Sequence, residues 1–179
     1  ILGLGYVGAA MSVAVAKANK NGRPLFNVSG LDLNNKEGKK RIKSINDMVF
    51  PFESSDESFT KEFKKIEKFN NLFATSEVNK IKIADIVFIS VNTPTKTKGI
   101  GAGKASDLKW VEACAREVAK YSKGHSIVVE KSTLPVRTAE VIQKILYSSK
   151  RNSKEESKSF KVLSNPEFLA EGTAINDLI

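Results

Sequence analysis

This chain of 179 residues has only one cysteine, one histidine and one tryptophan. A single cysteine, Cys114, cannot close an internal disulfide. It fits a reducing compartment, so a cytoplasmic location is expected. The lone histidine, His125, has no visible acid partner and reads as an exposed turn residue, and no metal site is expected. Long apolar runs are also missing. Nothing resembles a transmembrane segment or a signal peptide, so no membrane partner is expected. Acidic side chains are in deficit, 20 against 29 Lys and Arg, leaving a net charge of +9. That balance suits anionic ligands such as dinucleotides, or nucleic acid. The lysines, however, are scattered or in loops (Lys36, Lys39, Lys40, Lys61, Lys64, Lys65) without an aromatic-interleaved binding signature. A solvated basic surface is the expectation, with no nucleic-acid partner. The competing reading from another class is a non-catalytic basic module that binds polyanions.

What is present is an ordinary globular composition, 41% apolar and 27% charged, in a length that suits one domain over residues 1–179. Short strand-like apolar runs alternate with longer helical ones. The pattern predicts an α/β, Rossmann-type doubly wound fold: a mainly parallel six-stranded sheet with helices on both faces. A helix is expected from about Tyr6 to Asn19, ended by the turn chemistry of residues 19–24. Strands are expected at 27–33, 72–75, 85–91, 126–130 and 160–164. Phe59, Phe63, Ile66 and Phe69 have the spacing of a buried helical stripe. Asp107 reads as the N-cap or first-turn acid of a helix to about Tyr121. A further helix is expected over 136–147, followed by a solvated loop over 148–159.

Gly3-Leu4-Gly5-Tyr6-Val7-Gly8 carries the strongest local signal. An apolar pair, Ile1-Leu2, enters it and a small-residue helix leaves it, while the next strand contains Asp32. Only two residues precede Gly3, so the front of the first strand is expected to lie outside this chain. In such a turn the first glycine permits the tight bend and the second lets the backbone approach a pyrophosphate. The third lets the helix press on the strand. The diphosphate then meets the unpaired N–H groups of a helix N-terminus. Asp32 would accept hydrogen bonds from both ribose hydroxyls, which favours NAD over NADP. NAD is therefore the expected cofactor, with Gly3, Gly5, Tyr6, Val7, Gly8 and Asp32 among its contacts.

In a doubly wound sheet, ligands bind beyond the C-terminal ends of the strands. Three strands here end in polar loops stiffened by proline: Val91-Asn92-Thr93-Pro94-Thr95, Glu130-Lys131-Ser132-Thr133-Leu134-Pro135, and the run from Asn165 to Gly172. Loops held by a rigid scaffold are where function concentrates.

Those segments carry a resemblance. Asn92-Thr93-Pro94-Thr95, Glu130 to Arg137, and Ser164-Asn165-Pro166-Glu167-Phe168-Leu169-Ala170-Glu171-Gly172-Thr173-Ala174 resemble the UDP-glucose/GDP-mannose dehydrogenase family. The helix Asp107 to Arg116 brings the eukaryotic UDP-glucose 6-dehydrogenase type nearest. Between residues 34 and 70 the likeness is weak, and Pro51-Phe52-Glu53-Ser54 stands where the family usually has Tyr-Glu-Pro-Gly. The basic residue near the adenosine ribose stays open between Lys36, Lys40 and Arg41.

The resemblance implies oxidation of UDP-glucose to UDP-glucuronate in two NAD-dependent steps, through a cysteine adduct that is then hydrolysed. GDP-mannose or UDP-N-acetylmannosamine is the alternative substrate, and a β-hydroxyacid-type dehydrogenase is more distant. It implies acid–base catalysis by Glu167, with Thr133 placing the water. Val91, Asn92, Thr93, Pro94, Ser132, Thr133 and Glu171 would contact the cofactor. Glu167, Phe168, Leu169, Ala170 and Glu171 would contact the substrate. The reactive cysteine and a catalytic lysine would lie outside this chain, and the whole protein would be a homo-oligomer. Cys114 shares a helical face with Leu108, Val111, Ala115 and Val118, so it reads as core packing and not as the nucleophile.

Overall fold

The computed structural model describes residues 1–54, 58–132, 137–151, 158–166, 169 and 177, and it divides into two compact units. The first is built on Ile1–Glu77 and the second on Val78–Glu167.

In the first unit, residues 1–3 lie parallel to β3 (Val28–Leu31): Leu31 N–H donates to Ile1 O at 2.8 Å and Gly3 N–H to Leu31 O at 2.9 Å. On its other side β3 pairs in parallel with β4 (Leu72–Thr75), Val28 opposite Leu72. The order is thus first strand, β3, β4. Helix α1 (Tyr6–Ala16) leaves the glycine turn with seven of its residues buried, from Gly8 to Ala16. Small side chains let it sit close to the strands. The helix stops earlier than the sequence suggested, because residues 19–24 form a hairpin of β1 (Asn19–Lys20) and β2 (Arg23–Pro24) about Asn21-Gly22. Such a dipeptide is the favoured two-residue hairpin turn.

Helix α2 (Lys36–Asn46) is capped by Asn35, whose Oδ1 accepts from Gly38 N–H at 2.8 Å. Helix α3 (Ser58–Phe69) buries Phe59, Phe63 and Ile66. Phe69, the last residue of the helix, is only half-buried, so the expected stripe is fully buried in its first three members alone. Phe63 and Ile66 join Leu4, Val13, Val28, Ile45 and Leu72 in one apolar cluster. Each such side chain contributes about 1.5–3 kcal/mol by leaving water.

The second unit begins with a short 3₁₀ turn, Val78–Ile83. Its sheet has the parallel order β5 (Ile86–Ile89), β6 (His125–Glu130), β7 (Ser159–Ser164). Helices α4 (Lys109–Tyr121) and α5 (Thr138–Arg151) accompany these strands. Three expectations need correction here. Leu108, not Asp107, is the N-cap of α4, although Asp107 Oδ1 still accepts from Lys109 N–H at 3.1 Å. Residues 148–151 continue α5, since a polar run satisfies its backbone hydrogen bonds in a helix as well as in a loop. His125 opens a strand and does not sit in a turn; its Nδ1 is 2.7 Å from Ser159 Oγ on β7.

The described residues thus form an α/β structure with a parallel sheet in each unit, of three strands when residues 1–3 are counted, besides the antiparallel hairpin of β1 and β2. No helix among them is long and apolar enough to cross a membrane.

Candidate functional site

In the first unit the glycine turn has the form its spacing predicts. Gly3 adopts φ of 91°, a left-handed conformation that a side chain would strain. Gly5 is the N-cap of α1 in extended conformation, and it offers no side chain to cap the helix. The first turn of α1 carries no acidic residue. Its leading N–H groups have no partner within the helix by construction, and the dipole adds partial positive charge. A Cβ built on Gly5 would meet nothing within 4 Å. This open, uncapped helix start fits a dinucleotide diphosphate. Gly8 is buried within α1, as a helix pressed on a strand requires.

Asp32 follows β3, and its side chain is only 6% exposed. Both carboxylate oxygens are fully engaged. Oδ2 accepts from Leu4 N–H at 3.2 Å and from Arg41 Nε at 2.7 Å; Oδ1 accepts from Leu33 N–H at 2.7 Å and from Arg41 Nη2 at 3.2 Å. A carboxylate has about four acceptor sites, so a ribose hydroxyl would have to replace one of these donors. Arg41, half-buried on α2, is the replaceable one, and the bond to Asp32 pushes its pKa above the ordinary arginine value. Of the three basic residues left open by the sequence, Arg41 is therefore the one that meets Asp32.

Tyr6 packs its ring against Phe50, edge-on at 5.4 Å, and against Phe52 at 5.9 Å. Its hydroxyl is buried with no partner among the described residues. Leu169, expected at the substrate, packs against this same apolar cluster.

The second unit gathers its polar groups at the C-terminal ends of β5, β6 and β7. Glu130, Lys131 and Ser132 are consecutive and all buried, at 3%, 7% and 8% exposure. Glu130 Oε2 accepts from Ser164 Oγ at 2.9 Å, and Glu130 O from Asn165 N–H at 2.9 Å. Lys131 Nζ donates to Asn165 Oδ1 at 3.0 Å. Ser132 Oγ donates to Val91 O at 2.7 Å. Burial pushes the Glu130 carboxyl above the usual carboxylate range, partly opposed by the Ser164 hydrogen bond. Its Oε1 has no partner among the described residues, nor does the buried Ser90 hydroxyl at the end of β5.

Beyond Val91 come Asn92, Thr93 and Pro94, and Pro94 O accepts from Asp107 N–H at 2.7 Å. This bond and the Thr95–Ser106 bridge close the long excursion between β5 and α4. Sequence reasoning named Ser132 and Val91 as cofactor contacts but gave Glu130 and Lys131, in the same loop, no role of their own. The available signal was two opposite charges closing an apolar strand.

Thr133, Glu167, Phe168, Ala170 and Glu171 lie outside the described residues. Cys114 is half-buried on α4 beside buried Val111, Ala115 and Val118. Burial, with the charge of Glu117, pushes its thiol up to about 12. No group of three or more His, Cys, Asp or Glu that could hold a metal is present among the described residues.

Residues 1–179 match the UDP-glucose/GDP-mannose dehydrogenase family, NAD binding domain. The chain belongs to this family. It is 46% identical over 99% of its length to UDP-glucose 6-dehydrogenase 1 of Glycine max, covering 34% of that protein. To UDP-glucose 6-dehydrogenase of Pongo abelii it is 44% identical, again over 99% of this chain and 33% of that one. Among solved structures, a UDP-glucose dehydrogenase from the archaeon Pyrobaculum islandicum superposes with a TM-score of 0.78 at 27% identity. That match covers 98% of this chain and 37% of the other. The chain spans about a third of the length of the curated relatives it matches. The family places NAD as the cofactor of this domain, and the open turn at Gly5 is compatible with it.

Proposed function

We propose that residues 1–179 form the NAD-binding Rossmann domain of a UDP-glucose 6-dehydrogenase, which oxidises UDP-glucose to UDP-glucuronate. The observation that carries this reading is the uncapped glycine turn at Gly5, set one hydrogen bond from the Asp32 carboxylate through Leu4 N–H. The substrate assignment draws on relatives of that name at 44–46% identity. The fold of this reading is the doubly wound, mainly parallel six-stranded sheet of the Rossmann type.

In this reading Gly3, Gly5, Tyr6, Val7 and Gly8 hold the cofactor diphosphate, and Asp32 with Arg41 holds the adenosine ribose. Val91, Asn92, Thr93, Pro94, Ser132, Thr133 and Glu171 complete the cofactor contacts. NAD bound there supplies the electron acceptor. Glu167 is the acid–base group and shares the sugar nucleotide with Phe168, Leu169, Ala170 and Glu171, while Thr133 orients the hydrolytic water. A carboxylate next to bound diphosphates has anionic neighbours, which move its pKa toward the useful range. The nucleophilic cysteine comes from the part of the protein beyond this chain, and the whole protein is a cytoplasmic homo-oligomer.

The test is a titration of NAD and NADP into the chain, with turnover of UDP-glucose, GDP-mannose and UDP-N-acetylmannosamine by the full-length protein. Tighter NAD binding and a preference for UDP-glucose are expected. Equal or tighter NADP binding would overturn the cofactor reading, and preference for another sugar the substrate reading. Salt-sensitive binding to random nucleic acid without NAD binding would instead favour a polyanion-binding module.

A further inference from the structure

The end of β6 is unusual in placing three consecutive polar residues in buried positions, each tied to a neighbouring strand. Glu130 reaches Ser164 and Lys131 reaches Asn165, both at the end of β7, while Ser132 reaches Val91 beyond β5. Parallel register pairs Glu130 with Ser164, so Glu130 and Lys131 engage β7 from opposite faces of the sheet. The backbone bond from Asn165 N–H to Glu130 O fastens the same place in the sheet plane. The exit from β7 is thus held from three directions.

Lys131 is the member that stability does not explain. At 7% exposure the residue is buried, yet the hydrogen-bond acceptor of its ammonium among the described residues is the neutral amide oxygen of Asn165. Burying an ammonium against one neutral acceptor costs free energy that a methionine of similar length would avoid. Retaining the charge there makes sense if what it holds matters. Asn165 and Pro166 lead directly into Glu167 in sequence.

We propose that Lys131 is a positioning residue: by holding the Asn165 amide it fixes the chain at the point from which the sequence runs on to Glu167. This rests on the functional reading above, in which Glu167 serves the reaction. An error of about 1 Å in the placement of such a group costs up to about a hundredfold in rate.

The experiment uses the full-length protein and the variants Lys131→Met, Asn165→Ala, the double variant, and Lys131→Gln, which keeps a donor for the amide. Lys131→Met should leave the melting temperature unchanged or raised and the KM for NAD unchanged, while lowering kcat tenfold or more. The double variant should be no slower than the slower single one, and Lys131→Gln should recover part of the rate. Losses that multiply in the double variant, or a kcat loss that tracks a loss of stability, would overturn the proposal. So would an unchanged kcat. Wild-type turnover of UDP-glucose reports separately on the functional reading. If the wild type fails there, hydrogen exchange over residues 163–172 decides: faster exchange in Lys131→Met supports the tie, and unchanged exchange overturns it.

Discussion

Arg41 meets the Asp32 carboxylate along one edge of its guanidinium, Nε 2.7 Å from Oδ2 and Nη2 3.2 Å from Oδ1. The carboxylate expected to select NAD is therefore already neutralised by a cation. A bare Asp32 would repel a 2′-phosphate strongly; with Arg41 beside it, much of that repulsion is cancelled. Arg41→Met should sharpen the discrimination, weakening NADP relative to NAD by roughly five- to tenfold after solvent screening. Arg41→Lys keeps the charge and should stay near the wild type. Isothermal titration with both cofactors reads the ratio; an unchanged or reversed ratio would sink this account.

Gly38 lies in the first turn of α2, where a Cβ would come within 2.0 Å of Leu33 O. Backbone cannot yield as a flexible side chain does, so Gly38→Ala must displace the helix from the strand end. The same turn carries the Asn35 cap and leads to Arg41. Gly38→Ala should cost about 2–3 kcal/mol and weaken NAD binding through Arg41. Asn35→Ala, which removes the cap alone, should cost about 1 kcal/mol. Denaturant unfolding measures both, and equal losses would show that the close approach is relieved elsewhere.

The glycine turn, the strands of the parallel sheets and the burial of Phe59, Phe63 and Ile66 were legible in the sequence because local pattern determines them, whereas the hairpin of β1 and β2 read only as a turn. Gly3 needs positive φ, and period and composition mark the elements. Arg41 was not legible, since the choice among Lys36, Lys40 and Arg41 depends on how α2 approaches β3. The Asn35 cap and the contact at Gly38 set that approach. The burial of Glu130 and Lys131 was missed for a related reason. Charged residues after an apolar strand ordinarily mean solvent, and only pairing with β7 turns them inward. The extension of α5 over 148–151 was hidden because a polar helix turn and a polar loop have the same composition.

Glu130 is a pH-dependent liability. Burial raises its carboxyl above the unfolded value, so the folded state prefers it protonated. Its favourable contribution is complete below the unfolded pKa, near 4.3, and is lost as pH rises through the folded pKa. Glu130→Gln keeps an acceptor for Ser164 and removes the charge. It should match the wild type near pH 4 and become the more stable form as pH approaches 7. Thermal melts across this range test the sign; a variant that is less stable at pH 7 would mean that the carboxylate is held ionised.

Cys114 supplies the sharpest check on which part of the protein does chemistry. Its thiol is pushed up from 9.0 to about 12, chiefly by burial. The thiolate is the reactive form, so at pH 8 the native thiol should alkylate on the order of a thousandfold more slowly than the unfolded one. The sign for stability follows. The unfolded thiol ionises near 9 while the folded one holds its proton, so the stability it lends is lost as pH rises from about 9 toward 12. A thiol held protonated in this way is not poised to trap an aldehyde. Given NAD and UDP-glucose in excess, residues 1–179 alone should produce no sustained NADH, and Cys114→Ala should change nothing in that assay. Steady NADH production that disappears in Cys114→Ala would make this cysteine the nucleophile and overturn its assignment to packing.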